Sequence, residues 1–573
     1  MTTRNQFLRT TLALASVLAG ASAQSIPVAR LAGPGLWDVF QAPAAGGAAS
    51  LVLADVELLP LELAGFARRD RLLAGVVRPV AGAPAAHVRL PGGGSLYLAR
   101  GGGQTLLLHV RSDGGVAPAF AAPDAGAPGL QAQVHVSSDA LQVLLSTVAG
   151  DVWLVDLAGG KPRSLSLPGA PPADPTSLRV SATRAFFVAG GALHAADLGA
   201  PGPAAPFALG PAGHVALPEL ALSADGLNVA VVTQDALGAR LVHVLDEALQ
   251  PHQITQAPGL YDTPSYASPY GPWLALSPDG ARIAWRATIG PATEVFLKDV
   301  PAPAPALQLT ADGTFADTID NVGVLGFSAN GKLHFMAGEA QIGGGLGALG
   351  SADLFTATQG AGGSLALSNL TNTSGTPIPP FLQPGELELL DTALDPPGER
   401  LLLVVDPDGG DAALLSLPAD LSAGYVTLLP ALDATPALHK AGDAVLIRMQ
   451  ACDTCEASLH LLPAGTGPQL LANVPSGIAL DRFADGAGRA AFAASAGPGF
   501  ELAVRLDPAN GAFDFPWPFV GSVGAAIVLP ESSGNLVFAA GGPSGPQLAL
   551  RLDGVLSGSA LKVPVGTLVP LDF

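Results

Sequence analysis

The segment LALSPDGARIAW, from Leu274 to Trp285, decides the fold that the sequence predicts. Two apolar runs flank Ser277-Pro278-Asp279-Gly280, a four-residue centre that is typical of a tight turn. Glycine tolerates the positive φ that such turns need, and Ser and Asp side chains bond to the nearby backbone. Because apolar runs on both sides of a turn are typical of paired strands, the segment predicts a β-hairpin.

The same hairpin pattern recurs along the chain at intervals of roughly 45 residues. Clear copies begin at Leu220 (LALSADGLNVAV) and Leu325 (LGFSANGKLHF). Weaker copies begin at Val134, Leu178, Thr392, Pro436, Arg482 and Val528. After each hairpin come a third apolar run and a fourth, which often ends in a pair such as Leu309-Thr310. Four short strands per unit predict an all-β fold, a β-propeller of four-stranded antiparallel blades with about 11 repeat units.

The repeat resembles the WD40-like (PD40) repeat of the TolB-type β-propellers. The resemblance rests on Ser277-Pro278-Asp279-Gly280 with Leu309-Thr310, and on Leu222-Ser223-Ala224-Asp225-Gly226 with Ile254-Thr255. It covers most of the chain after about residue 45 and implies a propeller fold. Since that fold supports many activities, the resemblance implies no particular function.

The number of units bears on domain organisation. About eleven units exceed the four to eight blades of a usual propeller, so we expect two propellers. A run rich in Thr, Pro and Gly makes 371–385 the candidate linker between repeats in 24–370 and repeats in 386–573. The alternative is a long loop within one blade. The N-terminal part is a candidate to close with the last blade, and non-matching turns at Arg184 and Lys440 leave the blade count open.

The first 23 residues have the pattern of a signal peptide. Arg4 and Arg9 precede an apolar run from Thr10 to Gly20, and Ala21-Ser22-Ala23 provides a small-residue cleavage site. We therefore expect export to the periplasm or the extracellular space. No later run is apolar for long enough to span a bilayer, so membrane insertion is not expected.

The charge of the chain bears on its partners. The sequence has 47 acidic and 27 basic residues, a formal net charge of −20, and no cluster of basic residues. Nucleic-acid binding needs clustered Lys and Arg to neutralise phosphates, so nucleic acid is excluded as the expected partner.

Motifs for catalysis and metal binding are missing from the sequence. The G-x-S-x-G string of α/β-hydrolases and the HExxH string of zinc enzymes are both absent. His194, His243 and His460 lie at a similar phase in the third strands of their units. Equivalent positions lie apart around a ring, so we expect a packing role for these histidines. No metal and no other cofactor are expected.

The two cysteines are Cys452 and Cys455, between the apolar runs AVLIRMQ and ASLHLLP. In an exported chain this arrangement predicts a disulfide across a hairpin loop. A redox pair or half of a zinc site is the alternative.

An aromatic segment provides the candidate ligand site. The run GLYDTPSYASPYGPW contains three of the five tyrosines and joins the last strand of one unit to the first strand of the next. In propellers such connections lie on one face, where ligands usually bind, so the candidates are Tyr261, Asp262, Tyr266 and Tyr270. The alternative is that these rings pack on their own blade and fix the loop.

The corresponding segment of the next unit, ADGTFADTIDN, adds the polar candidates Asp317, Asp320 and Asn321, with ordinary solvated polarity as the alternative. The resulting hypothesis is an exported, non-enzymatic binding or scaffold protein that recognises a protein, peptide or glycan through loops on one propeller face. Two alternatives stay open. One is a propeller hydrolase or lyase with a channel-mouth site of Asp, Glu and His from several blades, and the other is a structural envelope component.

Overall fold

The fold was analysed in a computed structural model. It describes residues 25–43, 48–64, 76–77, 85–90, 94–124, 126–137, 139–166, 169–255, 274–289, 292–300, 305–310, 323–327, 331–338, 352–359, 365–369, 387–394, 400–407, 412–418, 426–432, 437–441, 444–450, 457–463, 469–474, 490–497, 500–507, 512–520, 522–528, 536–542, 545–553, 557–560 and 568–571.

The described residues form β-strands and one short 3-10 helix, Pro175–Ser177. The strands before residue 200 are β1 (Ser25–Gly33), β2 (Leu36–Pro43), β3 (Ser50–Leu59), β4 (Glu62–Leu63), β5 (Val76–Val77), β6 (His87–Arg89), β7 (Ser95–Gly101), β8 (Gln104–Val110), β9 (Val116–Pro123), β10 (Leu130–Val136), β11 (Gln142–Thr147), β12 (Val152–Asp156), β13 (Arg163–Ser164), β14 (Arg179–Val180), β15 (Arg184–Ala189) and β16 (Ala192–Asp197). The next are β17 (Ala205–Phe207), β18 (Val215–Leu222), β19 (Val229–Gln234), β20 (Arg240–Leu245), β21 (Pro251–Gln253), β22 (Leu274–Leu276), β23 (Arg282–Ile289), β24 (Ala292–Asp299), β25 (Leu307–Gln308), β26 (Gly323–Phe327), β27 (Leu333–Gly338), β28 (Ala352–Gln359) and β29 (Leu365–Asn369). The last are β30 (Leu387–Leu394), β31 (Arg400–Pro407), β32 (Ala412–Pro418), β33 (Val426–Leu432), β34 (Ala437–Ala441), β35 (Ala444–Gln450), β36 (Ala457–Pro463), β37 (Gln469–Val474), β38 (Ala490–Gly497), β39 (Phe500–Asp507), β40 (Ala512–Val520), β41 (Ser522–Val528), β42 (Leu536–Gly542), β43 (Gly545–Asp553), β44 (Ser557–Ala560) and β45 (Leu568–Pro570).

The strands form successive sheets, which we number along the chain. Sheet 1 has nine strands, in the order β45-β1-β2-β3-β7-β6-β5, with β8 and β9 added to β7. Sheet 2 is β13-β12-β11-β10-β4, in which β4 pairs with β10 in parallel. The sheets that follow are sheet 3 (β14–β17), sheet 4 (β18–β21), sheet 5 (β22–β25), sheet 6 (β26–β29), sheet 7 (β30–β33), sheet 8 (β34–β37), sheet 9 (β38–β40) and sheet 10 (β41–β44).

The order of the strands confirms the predicted fold class. From sheet 3 onward each sheet is an antiparallel meander, in which every strand pairs with the next one in the sequence. Sheet 1 contains two such groups, β45-β1-β2-β3 and β6-β7-β8-β9, and each later sheet contains one, in agreement with about 11 units. The chain is therefore an all-β propeller protein. The last strand β45 pairs with the first, β1, so that both ends of the described chain share one sheet.

The Ser-x-Asp-Gly turn is held by its own side chains, which explains why this motif marks the hairpins. Ser277 Oγ donates to Asp279 Oδ1 at 2.5 Å and accepts from the backbone N–H of Arg282 at 2.9 Å. Asp279 Oδ1 also accepts from the N–H of Ala281 at 3.1 Å. Gly280, at φ +69°, donates its N–H to the Ser277 carbonyl. Side chains thus satisfy backbone groups that the tight turn leaves without strand partners.

The same set of bonds recurs in the turns of sheets 2 and 4. Ser137 Oγ donates to Asp139 Oδ1, and Ser223 Oγ donates to Asp225 Oδ1, each at 2.5 Å. In sheet 2 the position of the glycine is taken by Ala140, which adopts φ +58°. The shared hydrogen bonds, rather than the glycine alone, therefore define this turn.

The Leu-Thr pair at the end of the fourth strand also has a physical reason. Thr310 Oγ1 accepts from the N–H of Val295 at 2.9 Å, and Thr255 Oγ1 accepts from the N–H of Val242 at 2.9 Å. Thr310 and Thr255 are both buried. In each case the hydroxyl extends the pairing of the third strand past the last backbone bond of the fourth, which otherwise leaves a buried N–H unpaired.

The hydrophobic core lies between adjacent sheets rather than at one central point. Trp285 and Phe296 of sheet 5 stack at 5.5 Å and pack in one cluster with Val232 and Val244 of sheet 4. Buried clusters of the same kind join each pair of consecutive sheets from sheet 1 to sheet 6, as expected of successive packed sheets.

Hydrogen bonds from basic side chains join adjacent sheets beside these cores. Arg184 of sheet 3 donates to the Leu227 carbonyl of sheet 4 at 2.8 Å, and Arg282 of sheet 5 donates to the Gly331 carbonyl at 2.5 Å. Arg184 lies in the turn that departs from the sequence pattern, so its side chain maintains the contact between sheets although the turn motif is missing.

Replacing Ser277 by Ala removes a buried donor and acceptor from the turn of sheet 5. We expect S277A to lower the free energy of unfolding by about 1–3 kcal/mol, because the N–H of Arg282 loses its partner. Ser223→Ala should cost a similar amount, since it removes the same bonds from sheet 4. Denaturant midpoints measure the effect. The exposed Glu247→Gln is the control and should shift the midpoint little, while an equal shift in E247Q would contradict the assignment.

Two glycines with similar φ test the packing between sheets. Gly226 has φ +68°, and a Cβ there would lie 2.1 Å from Ser181 Cβ of the preceding sheet. Gly238 has φ +87° and open space around its Cβ position. We expect Gly238→Ala to cost about 1 kcal/mol from backbone strain and Gly226→Ala to cost at least about 3 kcal/mol, because the clash adds to the strain. Equal losses of unfolding free energy would show that the sheets do not pack as described.

Candidate functional site

The meander places successive turns at opposite edges of each sheet, so that the sheets share two faces. The turn face carries the Ser-x-Asp-Gly turns and is defined by 137–142, 181–184, 223–228 and 277–282. The loop face carries the hairpins between second and third strands and the connections to the next sheet, and is defined by 148–151, 171–174, 190–191, 208–214 and 235–239.

The predicted ligand residues lie outside the described residues, but the ends of their segments are described. The residues concerned are Tyr261, Asp262, Tyr266, Tyr270, Asp317, Asp320 and Asn321. The first segment follows Thr255, after the end of β21, and leads to Leu274, where β22 begins. The second follows Thr310 and leads to Gly323, where β26 begins. All four flanking residues are at the loop-face edge of their sheets.

Cys452 and Cys455 also lie outside the described residues, as does the candidate linker 371–385. The strands that flank the cysteines are antiparallel partners, with Gln450 opposite Ala457. The two cysteines lie between Gln450 and Ala457 in the sequence, and their disulfide stays a prediction.

The three histidines noted in the sequence lie in third strands of different sheets. His194 is in β16, His243 in β20 and His460 in β36. His194 stacks on Phe187 with ring centroids 5.0 Å apart, and burial lowers the pKa of the imidazole. The side chain of His194 thus has a packing contact within its own sheet.

His243 takes part in a cluster that the sequence did not reveal. Thr233 Oγ1 lies 3.0 Å from His243 Nε2 and 3.3 Å from His214 Nδ1. Because a hydroxyl carries one hydrogen, it donates to one ring and accepts from the other. Burial and the nearby His214 lower the pKa of His243 to about 4. The cluster fixes the segment 208–214 of the loop face to the second and third strands of sheet 4.

The backbone also packs on this cluster. Gly210, at φ +79°, has its Cβ position 3.2 Å from Thr233 Oγ1 and 3.3 Å from His243 Nε2. This close approach covers the Thr233 hydroxyl and the His243 imidazole. Both side chains therefore have a structural role, which is to hold the segment 208–214. The three residues share no short motif, since they come from a connection and two strands.

A second polar group, with Arg179 buried and His135 half-buried, lies on the first strands of sheets 2 and 3. His135 Nδ1 accepts from the backbone N–H of Val180 at 3.0 Å. Burial and the positive charge of Arg179 lower the pKa of His135 to about 3, so that the ring is neutral. Arg179 in turn donates to the Leu220 carbonyl of sheet 4 at 3.2 Å. These side chains therefore bond one sheet to the next.

The described residues show neither a metal-binding cluster nor a membrane-spanning helix. Within them, no group of three or more His, Cys, Asp or Glu side chains is placed to hold a metal ion. The same residues contain no helix with the length and apolar character needed to cross a membrane.

Comparisons with known proteins give likenesses among solved structures. No protein-family model matches the chain, and no curated protein matches it. TolB from Acinetobacter baumannii is 16% identical, with a TM-score of 0.25 over 60% of this chain and 79% of that one. An oligogalacturonate lyase in complex with manganese is 10% identical, with a TM-score of 0.35 over 78% and 99%.

A prolyl endopeptidase is 11% identical, with a TM-score of 0.31, and the chain spans 54% of its length. The match covers 80% of this chain. At these identities and scores the likenesses carry no argument about function. The TolB-type repeat therefore stays a resemblance of sequence motifs.

The buried histidines predict an acid-sensitive fold. A histidine whose pKa is lowered by folding stabilises the protein above its unfolded pKa of about 6.5, and this contribution is lost as the pH falls towards its folded pKa. For His243 the window runs from about 6.5 down to about 4. Replacing His243 by Gln should reduce the slope of unfolding free energy against pH by up to about 1.4 kcal/mol per pH unit in this window.

Urea midpoints between pH 7 and pH 4.5 measure that slope. Thr233→Ser is the matched control, because it keeps the hydroxyl between the two rings and should leave the slope unchanged. The assignment is wrong if the slope of H243Q equals that of the unmodified chain.

Proposed function

We propose that the chain is an exported binding protein that recognises a protein, peptide or glycan through the connections of the loop face. The observation that carries the proposal is the position of Thr255 and Leu274, which flank the tyrosine-rich segment in the sequence and lie at the same edge as the hairpins of sheets 2 to 4. The residues proposed for ligand contact are Tyr261, Asp262, Tyr266, Tyr270, Asp317, Asp320 and Asn321.

Aromatic side chains in such a connection support binding for a physical reason. A tyrosine provides a large contact area and a hydroxyl, while only two side-chain torsions are fixed on binding. Asp317 and Asp320, between Thr310 and Gly323 in the sequence, supply acceptors for a hydroxyl, amide or amine group of the ligand.

Export is a separate part of the proposal. It is supported by the basic, apolar and small-residue order of residues 1–23, with cleavage after Ala23. A periplasmic or extracellular chain meets proteins and glycans of the envelope, which agrees with the proposed classes of ligand.

Replacing the three tyrosines tests the site. A random 12-residue peptide library displayed on phage and a glycan array serve as the probes. We expect the triple variant Y261A/Y266A/Y270A to bind the selected peptide or glycan at least about tenfold more weakly, because several aromatic contacts are lost together.

The triple Tyr→Phe variant is the matched control. It keeps the rings and should retain most of the affinity. If the Ala variant keeps both its affinity and its thermal midpoint, the tyrosines do not contact the ligand and the site assignment is wrong. Chemical conversion of the bound peptide or glycan, detected by mass spectrometry, would instead support a hydrolase or lyase.

A further inference from the structure

A strip of exposed, uncharged residues crosses the loop face over sheets 2, 3 and 4. We call it the apolar strip and define it by Val148, Ala149, Pro171, Pro172, Gly190, Val215 and Leu237. The exposed fractions of Val148, Val215 and Leu237 are 49%, 47% and 94%. Monomeric proteins expose single apolar residues freely, but a contiguous apolar surface is typical of an interaction site.

The strip is continuous between sheets 2 and 3. The hairpin of sheet 2 ends at Gly150, whose Cβ position lies 2.2 Å from Pro172 Cβ. The neighbouring Pro171 has its Cγ 2.6 Å from the Cβ position of Gly190, in the hairpin of sheet 3. Both hairpins thus pack on the two prolines, which are themselves exposed.

It continues into sheet 4 at Val215. The Cβ position of Gly191 lies 2.8 Å from Val215 Cγ1, and the N–H of Ala216 donates to the Gly191 carbonyl at 2.7 Å. Val215 is the register partner of Gln234, the residue directly before the hairpin that carries Leu237. Side chains of three sheets therefore share one surface.

Leu237 is held outward by a fixed hairpin. Asp235 Oδ1 accepts from the N–H groups of Leu237 and Ala239 at 2.9 and 2.8 Å, and Gly238 adopts φ +87°. The leucine is thus presented in a preorganised turn, which lowers the entropy lost when a partner covers it.

The charges beside the strip are predominantly acidic. The segments 148–150, 169–173, 189–192, 211–215 and 236–239 contain no Asp, Glu, Lys or Arg, although the chain has a net charge of −20. Asp151, Asp174 and Asp235 border them, together with one basic residue, Arg240, whose Nε donates to Gln234 Oε1 at 2.8 Å. An uncharged centre with an acidic border is complementary to an apolar surface with a basic border.

We propose that the apolar strip is a docking surface for a second protein whose contact surface is apolar and bordered by Lys and Arg. The inference rests on the proposed binding function and narrows its ligand to a protein. Aliphatic side chains offer no hydrogen-bond donors or acceptors, which sugars need, so they favour a protein over a glycan. A second copy of this chain would bring acidic borders together and is disfavoured by repulsion.

Aspartate substitutions in the strip test the proposal with the same phage-displayed 12-residue peptides. The variant V148D/V215D/L237D places charges in the uncharged centre. The control L141D/L307D changes two leucines of similar exposure, 48% and 42%, that lie away from the loop face. All five positions are exposed, so both variants should keep the fold, as checked by circular dichroism and thermal midpoint.

We expect the peptides selected by the unmodified chain to be rich in apolar residues and in Lys or Arg. Their affinity should fall at least about tenfold in the strip variant, change less than about twofold in the control, and weaken as salt rises. Failure to select any peptide, selection of acidic peptides, or equal losses in the strip and control variants would each overturn the proposal.

The tyrosine variant distinguishes docking at the apolar strip from ligand binding by the tyrosine-rich segment. Loss of peptide binding in Y261A/Y266A/Y270A with full binding in the strip variant would overturn the docking strip and leave the loop-face site in place. Glycan binding that the strip variant abolishes would overturn the protein as ligand. A dimer in analytical ultracentrifugation that only the strip variant dissociates would assign the strip to a second copy.

Discussion

The packing of each sheet against its neighbours is the constraint on which the rest of the structure depends. A four-stranded meander has two apolar faces and cannot bury either of them alone. Neighbouring sheets cover these faces for each other. One buried cluster, for example, contains side chains of two consecutive sheets, among them Trp285, Phe296 and Val244. The turns and connections have to place the next sheet at the correct packing distance. The recurring motifs contribute by fixing the ends of the strands in each sheet.

Three basic residues of this acidic chain serve the same packing. Arg184, Arg282 and Lys298 each donate to a backbone carbonyl of an adjacent sheet or of the turn that enters it. A carbonyl at the edge of a sheet is an acceptor that the meander leaves available, and a long cationic side chain reaches it across the gap. Bonding a cation to neutral carbonyls also needs no acidic partner, so these contacts do not depend on ion pairs.

The sequence predicted the fold because its motifs act within one hairpin or one sheet. Ser277 and Asp279 bond only to their own turn, and Thr310 bonds only to the strand beside it, so the spacing of these residues is visible in the sequence. The His214–Thr233–His243 cluster could not be predicted, because its distances depend on how a connection packs against two strands. The apolar strip was missed for the same reason, since five separate segments form it and none is unusual alone.

The two faces of the sheets differ in what their side chains are free to do. On the turn face the carboxylates of Asp139, Asp225 and Asp279 accept hydrogen bonds from their own turns, and the hydrogen bond from Ser277 helps to lower the pKa of Asp279. A group already engaged in this way gains little from a new partner, because binding would exchange one bond for another. On the loop face Val215 and Leu237 have no polar atoms to engage and lose contact with water when they are covered. The free energy gained by covering apolar side chains is therefore available at the loop face, where Thr255 and Leu274 also lie.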